Sequence, residues 1–156
     1  MMPYERLTAW QSAHELALAI YRATDDFPAP ERYGLTAQLR RAGFSVAANI
    51  AEGAAKRGNG EFRRFLDIAI GSLSEVSYAI VLAKDLGILG AEPAQALEEL
   101  RTRTSKLTWG LYKFTRARAK AARSPSVQSD SPTVRPSSDS TARPGLRLRT
   151  PGSAGS

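Results

Sequence analysis

From Phe62 to Gly87 the chain repeats a small or apolar residue at alternating spacings of three and four: Phe62, Leu66, Ala69, Leu73, Val76, Ile80, Ala83, Gly87. That period places all eight on one stripe of an α-helix and does not fit the two-residue period of a strand. At 1.5 Å per residue, a helix over 60–87 spans roughly 40 Å. A helix of that length with one apolar stripe must bury the stripe against other helices.

Three further seams supply them. The first runs Trp10, Ala13, Ala17, Ile20, Thr24, Phe27, with Thr8 as its expected N-cap and Phe27-Pro28-Ala29-Pro30 as its stop. The second runs Leu35, Leu39, Ala42, Val46, Asn49, Gly53 and ends at Gly53 and the Lys56–Gly60 turn. Asn59 is the expected N-cap of the third helix, and Gly87 and Gly90 punctuate its end. The fourth seam runs Leu97, Leu100, Thr104, Leu107, Leu111, Phe114, entered through Glu92-Pro93. Short connections favour antiparallel neighbours, so the expected fold is all-α: an antiparallel up-down four-helix bundle with shallow crossings. Some apolar residues lie off these seams: Phe65, Ile68, Ile70, Trp109 and Tyr112. They fit either wide burial within one bundle or a second apolar face for subunit contacts.

The pattern stops at Ala122. Residues 123–156 hold five of the nine prolines and nine serines, with no aromatic residue. Such a segment buries too little to offset its ordering entropy, so the reading is a bundle over 1–122 and a disordered C-terminal tail over 123–156. The net charge of +7 divides accordingly. The tail has five Arg and two Asp, or +3; the bundle has seventeen basic and thirteen acidic residues, or +4.

Composition removes much of enzymology. No cysteine means no disulfide, thiolate nucleophile or thiolate metal site, and one histidine disfavours His-based triads and His-rich metal centres. No uninterrupted apolar run reaches eighteen residues and the start has no signal-peptide pattern, so the expectation is a cytoplasmic protein without a membrane partner. His14 stands beside Glu15 rather than three residues from it, and reads as a partly buried packing residue. A ribonuclease of the HEPN type needs an Arg a few residues before a His on one helix. Arg6 is separated from His14 by seven residues and precedes the helix, so that motif fails. Glu52, Asp67 and Glu75 fall on or beside apolar faces. They read as register-fixing partners of arginines such as Arg41 and Arg64, and Asn49 as a buried polar specifier. Gly53, Gly58 and Gly60 lack the Gly-Lys-Ser/Thr of a phosphate loop. The expectation is no catalytic residue, no metal and no cofactor.

The basic residues carry the most chemistry. Between positions 32 and 64 stand Arg32, Arg40, Arg41, Lys56, Arg57, Arg63 and Arg64, opposed only by Glu52 and Glu61. After Glu99 the bundle has Arg101, Arg103, Lys106, Lys113, Arg116, Arg118 and Lys120, and no acid. In an up-down bundle the second-to-third turn and the end of the fourth helix share one end. The candidate nucleic-acid-binding residues are therefore Arg40, Arg41, Lys56, Arg57, Arg63, Arg64, Arg116, Arg118 and Lys120.

Several blocks also form a recognisable pattern. They are Tyr4-Glu5-Arg6-Leu7-Thr8-Ala9-Trp10-Gln11, Glu31-Arg32-Tyr33-Gly34-Leu35-Thr36, Gln38-Leu39-Arg40-Arg41-Ala42, Asn49-Ile50-Ala51-Glu52-Gly53, Glu61-Phe62-Arg63-Arg64-Phe65-Leu66 and Gly71-Ser72-Leu73-Ser74-Glu75. In this order they resemble the 23S rRNA intervening-sequence protein family over roughly residues 3–115. The resemblance implies a small bacterial four-helix bundle that assembles as a homopentamer and has no established catalytic residue. It also implies kinship to the accessory protein of diversity-generating retroelements, which binds a reverse transcriptase and nucleic acid through a basic surface. The paired arginines Arg40-Arg41 and Arg63-Arg64 recur in the family. One departure is Ala42-Gly43-Phe44-Ser45-Val46-Ala47, where the family usually has Ala-Ala-Val-Ser-Ile-Pro. Losing that proline should straighten helix two, and Gly43 should loosen it by about 1 kcal/mol relative to Ala. The functional expectation is a non-enzymatic, oligomeric bundle that binds nucleic acid, RNA before DNA. The alternative is a protein-interaction adaptor, such as an accessory subunit of a reverse transcriptase.

Overall fold

A computed structural model describes residues 2–123. The expected tail lies outside the described residues, apart from Arg123, which ends the last helix. Four helices follow in order: α1 (Thr8–Ala23), α2 (Leu35–Ala55), α3 (Asn59–Asp85) and α4 (Ala91–Arg123). Single 3-10 turns at Pro3–Arg6 and Ala29–Arg32 precede α1 and α2, and no strand occurs among the described residues.

Each helix packs on its two sequence neighbours, with α1 closing the ring against α4. The pairings are antiparallel. Ser45 Oγ meets Ser72 Oγ at 2.8 Å while Arg41 reaches Glu75, so α2 and α3 run oppositely. Ser12 Oγ meets Thr104 Oγ1 at 2.8 Å and Glu15 pairs with Arg103, which reverses α4 against α1. The all-α, up-down bundle expected from the seams is the fold.

Two seams map onto the core over most of their length, with Ile50 buried in place of Asn49 in α2 and Gly87 exposed at the end of α3. Leu35, Leu39, Ala42 and Val46 of α2 are buried, as are Leu66, Ala69, Leu73, Val76, Ile80 and Ala83 of α3. The other two shift. In α1 the buried line is Ala9, Ala13, Leu16, Ile20, so Leu16 takes the place given to Ala17, and Trp10 is only half-buried. In α4 Phe114 is exposed, and Thr104, Thr108 and Thr115 are buried. Their hydroxyls donate to carbonyls one turn back, Thr104 to Leu100 and Thr108 to Thr104, each at 2.8 Å. A threonine so satisfied presents mainly its methyl to the core.

The helix starts also differ by one position. Leu7, not Thr8, takes the N-cap of α1. Gly58, with φ 96°, takes that of α3 and makes Asn59 the first helical residue. That left-handed conformation suits glycine. At the start of α2 the Glu31 carboxylate accepts from the Leu35 N–H at 3.0 Å and so caps the helix.

α2 runs unbroken through the position where the family's proline would sit. Gly43 is not simply a weak point. A Cβ there would lie 2.6 Å from Ile20 Cδ1 and 3.7 Å from Ala17 Cα, so its absence leaves room for the end of the Ile20 side chain. Asn49 donates to the Ser45 carbonyl of its own helix at 2.8 Å and crosses to no other, which corrects its reading as a buried specifier. α3 is long and apolar enough to cross a membrane by length and composition, although the sequence has no unbroken apolar run of that length. Its buried stripe packs between α2 and α4 as a bundle helix does.

Candidate nucleic-acid interface

The α2–α3 turn carries Lys56 and Arg57, both exposed, and the first turns of α3 add Arg63 and Arg64. Lys56 pairs with Glu52 one turn back at 3.1 Å and lies over the Phe65 ring at 5.2 Å. Arg64 pairs loosely with Glu61 at 3.8 Å. Arg57 and the half-buried Arg63 have no ion-pair partner among the described residues.

A groove of Ser77, Val81 and Lys84 with Ala91, Gln95 and Glu98 fixes the α3–α4 register near the other end of the bundle. Carried down both helices, that register sets Arg116 level with Asn59. Arg116, Arg118 and Lys120 therefore extend from the level of the α2–α3 turn outward, beyond the start of α1. All three are exposed. Arg118 lies over the Phe114 ring at 5.6 Å. Arg116 has no ion-pair partner among the described residues. The fold thus gathers Lys56, Arg57, Arg63, Arg64, Arg116, Arg118 and Lys120 at one end.

It does not gather Arg40 and Arg41 there. These lie some fifteen residues up α2, roughly 23 Å from the turn. Arg40 is tied to α1. Its Nη2 donates to Asp25 Oδ1 at 2.8 Å, its Nε donates to Thr24 Oγ1 at 2.7 Å, and its guanidinium covers the Tyr21 ring at 4.8 Å. Arg41 donates to Gln38 at 2.7 Å and pairs with Glu75 at 3.5 Å.

Of the three carboxylates read as partners of arginines, Glu75 pairs with Arg41. Glu52, Asp67 and Glu75 are all exposed, and no group of three metal-ligating side chains occurs among the described residues. His14 is exposed rather than partly buried, stacked on Trp10 at 5.2 Å with ring planes 5° apart. It belongs to a feature that sequence reasoning missed: an apolar furrow of about 470 Å³ along the α1/α2 seam, walled by Trp10, Leu18, Tyr21 and Phe44 over a floor of alanines. One signal marks it in the sequence. From Ala42 to Ala51 α2 carries no charge on any side, though a corner helix needs a solvated face.

Known proteins agree with this architecture. The sequence matches the family model described as 23S rRNA-intervening sequence protein over residues 5–110. The structure is similar to that of a Bacteroides thetaiotaomicron protein of unknown function from the S23 ribosomal protein family. The TM-score is 0.62 at 22% identity, over 68% of this chain and 99% of that one. At that identity the likeness speaks for the fold. No curated protein matches the chain. With its model covering more than half of the sequence, the chain belongs to the 23S rRNA-intervening sequence protein family.

Proposed function

We propose that this protein is a non-enzymatic, self-associating bundle that binds RNA through the basic end formed by the α2–α3 turn and the end of α4. The observation that carries the reading is the set Arg57, Arg63 and Arg116, cations at one end with no carboxylate paired to them among the described residues. Guanidinium groups on helix ends and a turn, two of them exposed and that of Arg63 half-buried, suit phosphate oxygens and read little base identity. The family's link to insertions in large-subunit rRNA favours RNA over DNA as the ligand.

Replacing Arg57, Arg63 and Arg116 together by Glu should reduce binding of an rRNA fragment at least tenfold in a filter assay, with the helical circular-dichroism signal unchanged. Equal binding by both proteins would remove the proposal.

A second reading, an adaptor for a protein such as a reverse transcriptase, is favoured by the uncovered furrow. Capture of a reverse transcriptase by the tagged chain, lost on Phe44→Glu while RNA binding persists, would replace the first reading.

A further inference from the structure

Trp109 and Tyr112 lie off the α4 seam, and the phosphate contacts proposed above make no use of them. Trp109 is 43% exposed, and its ring meets that of Tyr112 edge-on, with 5.5 Å between centroids and 73° between planes. An edge-on contact covers at most one face of the indole and leaves the other open. One exposed aromatic on a helix is ordinary, but its neighbours here are not. Trp109, Lys113, Arg116 and Lys120 recur at spacings of four, three and four, which sets them on one stripe of α4. All four are exposed, and they cover about 16 Å of helix. Lys113 and Arg116 have no ion-pair partner among the described residues. The α3–α4 register that sets Arg116 level with Asn59 also sets Tyr112 level with the half-buried, unpaired Arg63. Asp67 falls level with Thr108, so the cationic track ends at the indole.

We infer that the basic end holds single-stranded rather than duplex RNA, with one base stacked on the Trp109 indole and the adjoining phosphates on Lys113, Arg116 and Arg63. This deepens the RNA reading above and rests on it. A duplex keeps its bases paired and stacked on one another, and offers a side chain only its backbone and groove edges. It engages the cations but not the indole face. A single strand engages both, because every base has a π-face and the backbone beside it carries the charge that the track attracts. An indole at the end of a cationic track therefore rewards an unpaired strand. Stacking of this kind tolerates any base, as do guanidinium groups that meet phosphates. The ligand class is an unpaired RNA segment: a loop, a bulge or a strand end.

The chain has two tryptophans, so Trp10→Phe leaves Trp109 as the lone indole reporter, with helical circular dichroism to verify the fold. Its fluorescence should be quenched on titration with a single-stranded RNA of about twelve nucleotides, and should change little with the same strand annealed to its complement. In the otherwise wild-type chain, Trp109→Ala should weaken single-strand binding about tenfold and leave duplex binding within about twofold. Trp109→Phe keeps a ring and should lose about threefold or less. An unquenched indole, a Trp109→Ala chain that binds the single strand as wild type does, or an equal loss on both RNAs overturns the stacking while phosphate binding stands. A wild type that binds neither RNA overturns both.

Discussion

Gly53 shows how a single absent atom sets the spacing of two helices. A Cβ there would lie 2.7 Å from Phe62 Cδ2 and 2.8 Å from Phe65 Cβ. The ring can turn, but Phe65 Cβ is fixed to the α3 backbone, so α2 and α3 must move apart. Gly53→Ala should therefore destabilise by about 1–3 kcal/mol despite alanine's better helix propensity, read as a lower urea midpoint. Arg40 makes a different residue-scale point. Its side chain is tied to Asp25, Thr24 and Tyr21, so Arg40→Ala should cost about 1–2 kcal/mol of stability. RNA affinity per folded molecule should change less than twofold; a large loss of binding at unchanged stability would contradict that assignment. The sequence could not reveal this tie, because Asp25 stands fifteen positions away in a connection whose path only the fold defines. Arg57, by contrast, was legible, since a turn of Lys-Arg-Gly-Asn-Gly offers no neighbouring acid.

At the scale of elements, legibility followed side-chain size and chemistry. The α2 and α3 seams are readable because large aliphatics such as Leu39, Val46, Leu66, Leu73 and Ile80 occupy them without rivals. In α1 two overlapping stripes share Ala13 and Ile20, and only packing decides between Leu16 and Ala17. In α4 leucines at seam positions compete with threonines: Thr108 makes itself apolar by bonding its own helix, and Thr104 bonds its own helix and Ser12 of α1. Thr108→Val tests that account. The hydroxyl bonds a carbonyl of its own helix and reaches no other helix, so removing it should leave stability unchanged within about 0.5 kcal/mol or raise it. A drop of 2 kcal/mol in thermal unfolding would show that the hydroxyl holds something else.

The whole molecule is defined by an asymmetry. Among the described residues, cations without an ion-pair partner gather at the end formed by the α2–α3 turn and the last turns of α4, while the α1/α2 furrow is an uncovered apolar surface elsewhere on the bundle. One region suits phosphates and the other is apolar, and the two share no residue. The up-down topology made the basic end foreseeable; the furrow required knowing which sides of α1 and α2 the bundle leaves open. The central claim is that RNA is held by phosphate contacts at this end. Its most direct test is the salt dependence of rRNA-fragment affinity, measured by fluorescence anisotropy from 50 to 200 mM. With about six contacts, wild-type affinity should fall on the order of 10³-fold across that range. Changing Arg57, Arg63 and Arg116 to Glu should flatten the logarithmic slope by about three. A flat wild-type profile, or a slope unchanged in the triple variant, would contradict the account.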